Sequence, residues 1–80
     1  MKNILKKVKI MALNNTFSIR LKQLRKDKNL SIKRLSCLLN ISPSTLSRWE
    51  NNKTDIRAGN IITLAQFFNV KVNFLFGLDI

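Results

Sequence analysis

Two junctions of the same design constrain this chain more than anything else in it: Asn29-Leu30-Ser31 and Asn40-Ile41-Ser42-Pro43. Asparagine is the residue after glycine that best tolerates positive φ, so it can close a helix in the left-handed conformation. Serine two positions later can accept a backbone N–H and open the next helix. Pro43 reinforces the second start, because the first helical position has no N–H to lose and the proline φ is already helical. Between the junctions only Ile32 to Leu39 is left, with an inward stripe of Ile32, Leu35 and Leu39. After the second junction comes a segment of similar length, with Leu46 and Trp49 inward and an end near Asn51-Asn52.

Helical spacing continues on both sides. Phe17, Leu21, Leu24 and Lys28 follow i, i+4, i+7 and predict a first helix from about Phe17 to Lys28, with Asn29 as its stop. Ile61, Leu64, Ala65 and Phe68 predict a fourth from about Gly59 to Phe68. A last short helix is expected from about Val72 to Phe76, stopping at Gly77. No run shows sustained strand alternation. The expectation is an all-α domain of five short helices over residues 16–80, preceded by a basic N-terminal arm at residues 1–15.

Composition narrows the function. Fifteen Lys and Arg stand against four Asp and Glu, and the formal net charge of +11 points to a polyanionic partner. Hydrophobic residues make up 45% of the chain, too many for a disordered basic tail. With no histidine and one cysteine, Cys37, neither an internal disulfide nor an ordinary structural zinc site can be assembled, and no metal or cofactor is expected. No nucleophile–base pair or glycine-rich phosphate loop is visible, so an enzyme is not expected. The apolar run Ile10-Met11-Ala12-Leu13 is shorter than the roughly 7–15 residues of an export signal and the roughly 20 of a membrane span. A cytoplasmic protein without a membrane partner is the expectation.

Two helices of about eight residues joined by Asn40-Ile41-Ser42 have the layout of a helix-turn-helix, which projects its second helix toward a major groove. The outward positions of that helix, Ser44, Thr45, Ser47 and Arg48, suit the task. Short polar side chains at its start permit close approach to base edges, and an arginine one turn on can grip guanine in bidentate fashion.

The stretch Leu30-Ser31 … Leu35-Ser36 … Leu39-Asn40-Ile41-Ser42 … Thr45-Leu46-Ser47-Arg48-Trp49-Glu50-Asn51-Asn52-Lys53 resembles the phage-repressor and Cro-like helix-turn-helix family. The later Leu64-Ala65 … Phe68-Asn69-Val70 … Leu75-Phe76-Gly77 is similar to that family's closing helices, and the likeness spans residues 17–78. It implies a lambda-repressor-like DNA-binding domain, with Ser42, Ser44, Thr45 and Arg48 facing base edges. By the same likeness Asn51, Lys53 and Thr54 meet phosphate, as does the start of helix two at Ser31, where free N–H groups favour an anion. The family's helix-one arginine and recognition-helix glutamate correspond to Arg25 and Glu50, the latter the only glutamate of the chain. Ile32 stands where the family commonly has glutamine, so Lys33 is the candidate to replace that contact. Pro43 takes a slot that often holds a base-reading side chain, and Asn40 and Asn52 replace turn glycines.

Ile62, Phe67, Phe74 and Phe76 are apolar where the helical stripes already supply a core. A surplus of this kind can be covered by a second copy, and the family typically dimerises through its last helices. A homodimer on a palindromic operator, acting as a transcriptional repressor, is the leading expectation. The alternative is an antitoxin-type module that covers the same patch with a toxin protein and autoregulates its promoter. Residues 1–15 leave three readings open: a basic amphipathic helix along Ile4, Leu5, Val8 and Met11, a short strand at Val8-Lys9-Ile10, or disorder. Cys37 reads as an inert thiol on the outer side of helix two.

Overall fold

A computed structural model of the chain describes residues 2–53 and 56–78, with side chains from residue 15. Its elements are α1 (Lys2–Asp27), α2 (Ile32–Leu39), α3 (Pro43–Glu50), α4 (Ala58–Phe68) and α5 (Val72–Leu75). All secondary structure among the described residues is helical. The first helix differs from its expected start near Phe17. No glycine or proline interrupts residues 2–27, so nothing in the backbone chemistry stops the helix at residue 15, and α1 is continuous from Lys2. Of the three readings of the N-terminal segment, the backbone is therefore helical. Smaller differences lie at α4, which opens one residue earlier, and at α5, where Phe76 is the C-cap rather than the last turn.

One device closes all five helices. Asn29, Asn40, Asn52, Asn69 and Gly77 have φ of 57°, 57°, 55°, 54° and 71°. In each case the N–H of the next residue turns back to the carbonyl five positions earlier: Leu30 to Arg25 (3.1 Å), Ile41 to Ser36 (3.0 Å), Lys53 to Arg48 (2.9 Å), Val70 to Ala65 (2.9 Å) and Leu78 to Asn73 (2.8 Å). These bonds satisfy carbonyls that a helix end leaves without an intrahelical partner. Leu30, Ile41 and Val70 then pack against the core, the apolar contact that commonly accompanies such a closure. Asn69 completes a set whose other asparagines the sequence had marked as turn residues.

Starts are equally local. Ser31 Oγ accepts the Arg34 N–H at 3.0 Å, and Ser42 Oγ accepts the Thr45 N–H at 3.1 Å. These two caps fix where α2 and α3 begin, and hence the three-residue turn between them.

Every helix sends one leucine to the centre. Leu21, Leu35, Leu46, Leu64 and Leu75 are fully buried and form one cluster with Phe17, Trp49, Ala65 and Phe68. Burying a leucine side chain contributes about 1.5–3 kcal/mol, so the shared cluster couples five helices that would be marginal alone. Ile32, Leu39 and Ile61, expected inward, are half-buried at its edge.

Candidate nucleic-acid interface

The relative placement of α2 and α3 depends on polar contacts as well as the leucine cluster. Arg25 of α1 donates from Nε to Glu50 Oε2 at 2.7 Å and from Nη2 to Glu50 Oε1 at 3.0 Å, a bidentate pair. Its Nη1 donates to the Leu30 carbonyl at 2.7 Å. One guanidinium thus ties α1 to the end of α3 and to the loop that delivers α2. Hydrogen bonding to Glu50 holds the Arg25 guanidinium above its ordinary pKa, outweighing the opposing effect of burial. Ser18, also on α1, donates to the Trp49 carbonyl at 2.6 Å, a second tether on the last turn of α3.

Held this way, α3 buries Leu46, Trp49 and Glu50 and turns its other side outward. Ser44 and Arg48, one turn apart, are exposed, as are Ser42 and Pro43; Thr45 and Ser47 are half-buried. Ser42 Oγ lies 2.7 Å from Thr45 Oγ1 and 3.2 Å from Ser44 Oγ, so the three expected base-contacting hydroxyls form one cluster. Arg48 has no side-chain partner among the described residues.

The expected phosphate-facing residues flank that helix. Ser31 and Lys33 are exposed at the start of α2, and Asn51 and Lys53 are exposed just after α3. Ser31 is engaged as the α2 cap, and the Asn51 amide donates back to the Ser47 carbonyl at 2.8 Å and lies 3.2 Å from Ser47 Oγ. The Lys33 and Lys53 side chains are unengaged among the described residues, as is that of Arg34 beside Lys33. Thr54 lies outside the described residues. Ile32 tucks against the core and offers no polar group to a phosphate or base.

The residues expected at a partner interface are less alike than their sequence suggests. Ile62 is exposed, at 50% of its surface. Phe67 meets Phe68 edge-on at 5.0 Å, Phe76 stacks on Phe17 at 5.3 Å, and the Arg20 guanidinium lies 4.4 Å over the Phe74 ring while donating to the Phe74 carbonyl. The three aromatics are half-buried in the chain's own packing. Among the described residues, the large apolar side chains that remain exposed are Ile62, Val72, Leu78, Ile19 and Leu38. Sequence spacing did not single out Ser18 or Arg20, because their acceptors are carbonyls 31 and 54 residues away. Cys37 is exposed and free.

Short, well-capped α2 and α3 across a three-residue turn, with a polar outward face on α3, define a helix-turn-helix DNA-binding domain. The helix-turn-helix family profile matches residues 21–75, well over half of the chain, which therefore belongs to that family, the Cro/C1-type DNA-binding regulators. No curated protein matches the sequence. No helix among the described residues is long and apolar enough to cross a membrane.

Proposed function

We propose that the protein is a sequence-specific double-stranded DNA-binding repressor, acting as a homodimer on a palindromic operator with α3 in the major groove. The observation that carries this reading is the outward side of α3. Ser44 and Arg48 stand exposed on one face of a helix whose opposite face is locked by Leu46, Trp49 and the Arg25–Glu50 pair. Arg48 is the long donor available to a guanine edge, and the hydroxyls of Ser42, Ser44 and Thr45 supply the short polar contacts. Lys33 and Lys53 neutralise phosphate on either side, with the N-terminus of α2 at Ser31 adding backbone N–H groups. Asn51 joins them only by releasing Ser47.

Support for a dimer comes from Ile62 on α4 and Val72 on α5, which with Ile19, Leu38 and Leu78 are the large hydrophobes exposed among the described residues, and which lie on the last two helices. A two-fold pair would set two copies of α3 about one DNA turn apart. The discriminating experiment is fluorescence anisotropy on an operator enriched from random duplexes, beside a scrambled duplex at physiological salt. A clear preference for the enriched duplex, with two chains bound per palindrome, is the expected result. Equal affinity for both duplexes eliminates sequence readout.

A further inference from the structure

The outward face of α3 is poor in hydrogen-bond donors at its leading end. Ser42, Ser44 and Thr45 carry three hydroxyl protons between them, and the contacts of 2.7 Å and 3.2 Å within the trio use two. Ser42 Oγ also accepts the Thr45 N–H, so its oxygen is committed to the cap. Between Ser42 and Ser44 sits Pro43, exposed at the first helical position. Proline brings no N–H, so this position lacks even the backbone donor that a helix start ordinarily presents. What Pro43 offers to a facing surface is hydrocarbon.

Among the groups by which a major groove distinguishes base pairs, the 5-methyl of a pyrimidine is the one alkyl group; the others are hydrogen-bond donors and acceptors. We propose that the exposed pyrrolidine ring of Pro43 reads that methyl, so that each half-site is recognised through a 5-methylpyrimidine at Pro43 and a guanine at Arg48. The proposal rests on α3 occupying the major groove, as above. Pro43 and Arg48 are five residues apart, about 7.5 Å along the helix axis, which corresponds to roughly two base-pair steps when the helix follows the groove. The contact is an apolar match that excludes water from both groups, and an unmethylated pyrimidine leaves the ring against water or a bare edge. Thymine and 5-methylcytosine carry the same group, and both satisfy the chemistry.

The test uses the full chain and the enriched operator, with each thymine replaced in turn by deoxyuridine, which deletes the methyl and nothing else. A parallel series replaces each cytosine by 5-methylcytosine. Burial of one methyl predicts about a fourfold change in Kd at one step of a half-site and little elsewhere. A loss with deoxyuridine assigns the group to thymine, and a gain with 5-methylcytosine assigns it to a methylated cytosine; either supports the contact. Pro43→Ser and Pro43→Ala, both compatible with the first turn of a helix, should lower discrimination at that step toward unity, with folding checked by circular dichroism. Wild-type protein indifferent to every methyl, or a variant that keeps the full discrimination, overturns the proposal even if the enriched duplex is still preferred to the scrambled one. Absence of any enriched duplex removes the major-groove reading itself, and this proposal with it.

Discussion

Replacing Glu50 by Ala should remove a large share of this domain's stability, and the reason is electrostatic rather than volumetric. The Arg25 and Glu50 side chains retain 10% and 3% of their accessible surface. Alanine would leave the guanidinium there with the Leu30 carbonyl as its one remaining partner among the described residues. Two charge-assisted hydrogen bonds vanish and a buried positive charge stays, a combination that costs about 3–5 kcal/mol. At about 0.05–0.15 kcal/mol per residue, an 80-residue chain holds roughly 4–12 kcal/mol in all. The substitution therefore removes a large share of the total and lowers Tm by roughly 12–40 °C. Urea melts followed by Trp49 fluorescence suit the measurement, since Trp49 is the single tryptophan, is buried, and adjoins Glu50. Glu50→Gln keeps an acceptor oxygen and the packing, so its loss should be smaller. The double variant Arg25→Met with Glu50→Leu leaves no buried charge and should recover to within about 1–2 kcal/mol of wild type, short of it by the Leu30 bond. A cost below about 1 kcal/mol for Glu50→Ala, the range of exposed pairs, would refute the reasoning. So would a double variant no more stable than the single one.

Further outcomes follow from the same geometry. Asn69→Gly should raise stability by about 0.5 kcal/mol and Asn69→Ala lower it by about 1 kcal/mol in a urea melt, because φ of 54° suits glycine and strains alanine. Gly77→Ala should lose about 1–2 kcal/mol by the same assay: φ is 71°, and a Cβ there would sit 3.0 Å from Thr16 Cγ2. Arg48→Ala should cost about 1–3 kcal/mol of operator binding and relax preference at one base step, read by anisotropy against single-base variants. Lys53→Ala should weaken enriched and scrambled duplexes alike and reduce the slope of log K against log salt by about 1.

The helix starts at Ser31 and Ser42-Pro43, and the stops at Asn29, Asn40 and Asn52, were legible in the chain because each depends on bonds within a few residues. A serine oxygen and an N–H three positions on, or an asparagine that accepts positive φ, need no distant partner. The Asn69 closure obeys the same rule, and its Asn-then-apolar signature in Phe68-Asn69-Val70 matches Asn29-Leu30 and Asn40-Ile41. The outward set on α3 was readable too, since the periodicity that buries Leu46 and Trp49 leaves Ser44 and Arg48 outside.

The surface near the last helices is another matter. Phe67, Phe74 and Phe76 read as surplus apolar area because helical spacing assigns each residue to one side of its own helix. Packing assigns it by what lies opposite. Phe17 receives Phe76, Lys28 lies over Phe67, and Arg20 covers Phe74, which leaves Ile62 and Val72 as the exposed large apolar side chains of α4 and α5. Local hydrogen bonding and periodicity, both short-range, were enough to mark the two helices, the turn between them and the polar side of α3, while their relative placement takes the Arg25–Glu50 pair and the Ser18–Trp49 bond. Which aromatic surface stays free for another molecule depended on contacts between residues dozens of positions apart, and those exist only once the five leucines have brought the helices together.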